Sequence, residues 1–115
     1  MMKPRNWWEL PGVGAVADEL FPSEHGSHAT PTEISITQSA YPGSIKQTAF
    51  NPQVARTGPV RDALDFRGRF ADGRVGSDSL QATPEKSARL IATAVEARLR
   101  EVTEHMKEPF VVRKS

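Results

Sequence analysis

Between Gly43 and Ala82 the chain runs for about forty residues with the periodicity of neither a helix nor a strand. Asn51-Pro52, Gly58-Pro59, Gly68, Asp72-Gly73 and Gly76 punctuate it, and only Asp62 to Phe66 hints at a helical turn. So long an irregular stretch is unusual inside a compact, self-sufficient domain. It predicts a segment that wraps on something else. The rest of the sequence does little to offset it. Of 115 residues, 37% are hydrophobic, which is thin for an independent core of this size. No convincing period-2 strand is present to supply a sheet.

Helical signals flank the irregular stretch. Val13, Val16, Ala17, Leu20 and Phe21 share one face of a short helix bracketed by Pro11 and Pro22. Thr30-Pro31-Thr32-Glu33 combines an N-cap threonine, a proline at the first helical position and a glutamate three residues after the cap. That pattern is a capping box, and it predicts a helix from about Pro31 to Ala40. Ile34, Gln38 and Tyr41 share one face of it, Ile36 and Ala40 another. Thr83-Pro84-Glu85 repeats the cap logic and opens an amphipathic helix from Pro84 to Lys107. Its apolar stripe is Ala88, Ile91, Ala92, Val95, Leu99, Val102 and Met106, opposite Lys86, Arg89, Glu96, Arg100 and Glu104. Each helix has a face that needs covering. The missing cover is expected to be another polypeptide segment or other subunits.

Several function classes drop out on composition. Fifteen Lys and Arg against fourteen Asp and Glu give a net charge of +1, without the basic excess of a dedicated nucleic-acid binder. There are no cysteines, so disulfide scaffolds, thiolate metal sites and cysteine nucleophiles are excluded. No apolar run approaches the length that spans a bilayer. Met1 to Trp8 has charge but no apolar h-region, so it does not read as a signal peptide. The expected setting is soluble and cytoplasmic, with neither nucleic acid nor membrane as partner.

The residues that could carry chemistry are few. His25 and His28 lie in a Gly/Ser-rich loop with Glu24 and Glu33 nearby. Imidazole and carboxylate are natural ligands for Zn²⁺ or Mn²⁺, and imidazole is the usual general acid or base near neutral pH. Two histidines alone fall short of the three protein ligands a catalytic zinc normally takes. Glu33 is also accounted for by the capping box. His105, near the end of the long helix, suits the helix dipole. Trp7 and Trp8 fit buried anchors or a substrate platform. Arg61, Arg67, Arg69 and Arg74, spread among Asp62, Asp65 and Asp72, read as an ion-paired surface.

The run Gly26-Ser27-His28-Ala29-Thr30-Pro31-Thr32-Glu33 resembles the histidine loop and following helix of the creatininase (creatinine amidohydrolase) family. Members carry a His there with a Glu five residues on, the spacing of His28 and Glu33. Asn6-Trp7-Trp8, the block from Phe66 to Ser77, and Ala82-Thr83-Pro84-Glu85 leading into a long terminal helix are similar to the family too. The resemblance runs from about Asn6 to Arg100. It implies a metal-dependent amidohydrolase with a three-layer α/β/α fold, often hexameric, that hydrolyses cyclic amides or related C–N bonds at a Zn²⁺ or Mn²⁺ centre. It implies a catalytic, proton-shuttling role for His28, substrate contacts for Trp7, Trp8 and Ser27, and a structural role for Glu33. Creatininase itself has a Glu immediately before the catalytic His, where this chain has Ser27. Related branches deformylate pyrimidine intermediates or cleave peptides, which leaves the substrate open.

The family's metal-ligand motifs and the sheet that carries them have no counterpart in this sequence. Residues 1–115 are therefore expected to form a single partial domain, the mainly helical C-terminal portion of an α/β creatininase-like fold, with no metal ligands of its own. Such a chain would contribute His28 to an active site completed elsewhere and be inactive alone. The alternatives are a non-catalytic module that oligomerises through its amphipathic helices, and an independent two-His metal binder.

Overall fold

Four helices make up the regular structure of the computed structural model, which describes residues 3–23, 26 and 28–109. They are α1 (Val13–Leu20), α2 (Pro31–Ala40), α3 (Ala63–Arg69) and α4 (Pro84–Met106), with single 3-10 turns at Trp7–Glu9, Pro42–Ser44 and Ser79–Gln81. Among the described residues there is no strand. The helical part of the expectation is met, and the sheet implied by the family resemblance is absent from these residues.

The caps form as their residue types dictate. Thr30 Oγ1 accepts the Glu33 N–H while Glu33 Oε2 accepts the Thr30 N–H at 3.2 Å, so two otherwise orphaned donors are satisfied. At α4, Thr83 Oγ1 accepts the Lys86 N–H at 3.3 Å and Pro84 fills the first position. Asp62 caps α3 by accepting the Asp65 N–H at 2.8 Å.

The core lies between α1 and α4. Leu10, Val13, Ala17 and Phe21 pack on Leu90, Ala94 and Ala97, with Trp7, Val16 and Leu20 at the edge. The i, i+4, i+8 spacing of Val13, Ala17 and Phe21 puts them on one stripe, as do Leu90, Ala94 and Ala97. Phe21, Val13 and Leu90 are fully enclosed. Each contributes about 1.5–3 kcal/mol by leaving water. The N-terminal segment is fastened to α4 by Arg98, which donates to the Lys3 carbonyl at 3.0 Å and pairs with Glu101, itself paired with Arg5.

α4 does not bury the stripe its sequence advertises. The chain covers Ser87, Leu90, Ala94 and Ala97, a face about 120° around the helix from the predicted one. Ile91, Val95, Leu99 and Met106 stay exposed, the last three at 60%, 62% and 79%. The reason is local. α1 packs its own stripe on Leu90, Ala94 and Ala97, and Ser35 of α2 bonds to the N-cap of α4, so both helices lie on this face. α2 buries Pro31, Thr32 and Ser35, while Tyr41 is 66% exposed. The buried hydroxyls turn back on their own helices, Ser35 to the Pro31 carbonyl at 2.7 Å and Ser87 to the Pro84 carbonyl at 2.6 Å. Their polarity is thus satisfied at a tight crossing.

The irregular middle is tied together by hydrogen bonds between its own residues. Ala55 N–H donates to the Ser77 carbonyl at 3.0 Å and Gly76 N–H to the Arg56 carbonyl at 2.7 Å. Arg74 reaches across to the Pro52 and Gln53 carbonyls at 2.6 and 3.1 Å, pairs with Asp72, and lies 4.6 Å from the Phe50 ring centre. A guanidinium presents several donors in a fixed fork, so one residue can hold several acceptors at once. Ala55 and Phe70 are buried beside it.

The molecule is extended, 58 × 35 × 26 Å with a radius of gyration of 18.6 Å. A compact domain of this length would have a radius of gyration of about 13 Å. The accessible surface, 8639 Å², exceeds the ~6,200 Å² expected for a compact monomer of this mass. No helix among the described residues is long and apolar enough to cross a membrane.

Candidate functional site

His28 sits at the mouth of a cavity of about 510 Å³, on the short connection that leads into the N-cap of α2. Val60, Phe66 and Val75 give its lining an apolar share, and His28, Ser77 and Ser79 supply polar groups. The imidazole is exposed. An exposed imidazole at the rim of a part-apolar cavity can give or take a proton at a group bound inside.

Two features seat the loop that carries His28. Gly26 adopts φ +67° and lies against Gly76 so closely that an added Cβ would come within 1.3 Å of the Gly76 carbonyl oxygen. Only glycine fits there, for space and for backbone angle. Ala29, immediately after His28, has φ +48°. A left-handed conformation in a residue with a Cβ is disfavoured by about 1–2 kcal/mol. The Ser77 hydroxyl, in a residue only 6% exposed, donates to the Ala29 carbonyl at 3.0 Å. Ser77 is in turn held through its own carbonyl by Ala55, and its neighbour Asp78 accepts from the Gln53 side chain at 3.2 Å.

The other sequence candidates are dispersed. Glu33 spends its carboxylate on the cap, accepting from the Thr30 N–H and, at 2.9 Å, from the Thr30 hydroxyl. Trp7 packs against the α1–α4 core, and Trp8, 50% exposed, meets it edge-on at 5.7 Å between ring centres. Neither lines the His28 cavity. Ser27, His25 and Glu24 lie outside the described residues. His105 is at the far end of α4, with Nδ1 3.4 Å from Glu108 Oε2. Arg74 touches the cavity, but its donors are committed to Asp72 and the two backbone carbonyls.

The nearby acids are structural as well. The carboxyl of Asp72 is held below its usual range by the Arg74 backbone N–H and guanidinium, and that of Asp65 by Arg69 and the Arg61 backbone N–H. Glu19 is lowered by Arg89, its exposed partner across the α1–α4 seam. Among the described residues no three His, Asp or Glu side chains converge to hold a metal ion. The sequence singled out His28 but neither Ser77 nor the left-handed Ala29. The one available signal was Gly76-Ser77 at the end of the Phe66–Ser77 block.

The family model for creatininase, described as creatinine amidohydrolase, matches residues 1–102. No curated protein matches the chain.

Proposed function

The chain belongs to the creatininase family, and we propose that it is the C-terminal portion of an amidohydrolase domain that supplies His28 to the reaction. The observation that carries this reading is His28 at the rim of its cavity, on a loop seated by Gly26 and Ser77. Hydrolysis of a cyclic amide or related C–N bond needs a proton delivered to the departing nitrogen, and an imidazole held beside the scissile bond can deliver it. In this reading the apolar side chains of the cavity, Val60, Phe66 and Val75 among them, orient the substrate's carbon skeleton, with Ser27 as a further contact.

The family is metal-dependent in general. The described residues do not fit a Zn²⁺ or Mn²⁺ centre, so in this reading the ligands come from a segment outside them and no step here runs through a metal. The exposed stripe of Ile91, Val95, Leu99 and Met106 supports completion by further polypeptide. By itself the chain is inactive. The test is a turnover assay on cyclic amides with Zn²⁺ or Mn²⁺, using the chain alone and together with a candidate metal-binding segment. Activity should appear only in the mixture and fall by two orders of magnitude or more, about 10²–10⁴-fold, in His28→Ala. Turnover by the chain alone, or an active His28→Ala mixture, overturns the reading.

The same stripe favours one other reading, a non-catalytic module that self-associates through α4. A stable homo-oligomer that gains no activity in the mixture would support it.

A further inference from the structure

We infer that Ser77 is a positioning residue for His28: its hydroxyl holds Ala29 in the left-handed conformation that aims the His28 side chain over the cavity. The functional weight of this rests on the reading of His28 as the proton-transfer group.

Three observations converge on it. Ala29 is the only described non-glycine residue with positive φ, and it directly follows His28. A Cβ-bearing residue adopts that conformation about tenfold less readily than an ordinary one, so something must hold it. Among the described residues, the only side chain hydrogen-bonded to the Ala29 carbonyl is Ser77, at 3.0 Å and almost fully buried. The latch is itself anchored: Gly76 and Ser77 are hydrogen-bonded to Arg56 and Ala55, and Gly26 closes on the Gly76 carbonyl from the other side. Released, Ala29 would relax toward extended backbone and swing the preceding imidazole with it. A proton-transfer group displaced by an ångström loses much of its effect.

The test follows the imidazole itself and needs no activity. The full chain with isotope-labelled histidine gives signals from three imidazoles, and His28 is identified by the one lost in His28→Ala. In Ser77→Ala the ratio of latched to released loop should fall about fivefold, moving or splitting the His28 signal while that of His105 stays put. Ser77→Thr, which keeps the hydroxyl and can direct its methyl into the cavity, should leave His28 at the parent position. Ser77→Val, equal in size but without the hydroxyl, should displace it. Ala29→Gly added to Ser77→Ala should move the signal back toward the parent, since glycine adopts the left-handed form freely. A His28 signal unmoved in Ser77→Ala, or displaced equally in the Thr and Val variants, overturns the inference. If Ser77→Ala does not fold, the Thr–Val pair decides. Failure of the amidohydrolase reading shows instead as turnover indifferent to His28→Ala, which leaves these signals untouched.

Discussion

The Ser35 hydroxyl accepts the Thr83 backbone N–H at 3.2 Å, tying α2 to the N-cap of α4. The same hydroxyl donates to the Pro31 carbonyl, and Ser35 is fully buried. Two chain segments nearly fifty residues apart thus share one oxygen. Ser35→Ala leaves the Thr83 N–H without a partner at this crossing, and should destabilise the chain by about 1–3 kcal/mol. Urea titration checks it. A loss of less than about 0.5 kcal/mol would mean that water replaces the bond.

The two faces of α4 should respond oppositely to truncation. Leu90 is completely enclosed and Leu99 is 62% exposed. Leu90→Ala should cost about 2–5 kcal/mol, and Leu99→Ala should stay within about 0.5 kcal/mol in the isolated chain. Thermal unfolding of the pair reads the difference. If Leu99→Ala instead proves as damaging as Leu90→Ala, the stripe is covered in solution and the unaltered chain is associated.

Two glycines offer a contrast of sign. Gly14 lies in α1 with nothing near the position of an added Cβ. Gly14→Ala should therefore stabilise by about 0.5–1 kcal/mol through helix propensity. Gly26→Ala meets the Gly76 carbonyl and should unseat the His28 loop. Limited proteolysis next to residue 26 should accelerate by about tenfold or more.

Acid should loosen the irregular middle. The carboxyls of Asp65 and Asp72 are lowered in the folded chain by their arginine and backbone partners. A lowered folded value means the unfolded chain takes up protons first as pH falls. The contribution is fully present above the ordinary carboxylate range and is lost as pH drops through the lowered values. The protection of the Ala55 and Gly76 amides, measured against the intrinsic exchange rate at each pH, should fall between about pH 5 and pH 2, and Asp72→Asn should flatten that dependence.

What was legible in the sequence was local. The Thr30–Glu33 box and the Thr83-Pro84 start lie within four residues, and the observed helices begin at Pro31 and Pro84 as those signals require. Helix faces were not legible, because which side of α4 is covered depends on what approaches it. Its sequence carries two usable faces, one a continuous apolar stripe, the other setting Leu90 among Ser87, Ala94 and Ala97. The hydrophobic count selects the first, while α1 and α2 take the second. The order in the middle was invisible for a related reason: Arg74 bonds to carbonyls more than twenty residues away, and nothing in composition marks an arginine that spends its donors on backbone. At the site, His28 stood out by type and by family pattern. Ser77 acts through Ala29, 48 positions earlier in the chain, so no local pattern flags it.

The extended outline has a practical consequence for mass determination. A radius of gyration of 18.6 Å is that of a compact domain of about 275 residues, more than twice this chain. A single copy should therefore elute from a sizing column where a globular dimer would. Elution volume alone would not tell such a single copy from a globular dimer; light scattering or sedimentation equilibrium, which weigh the particle without regard to its outline, would.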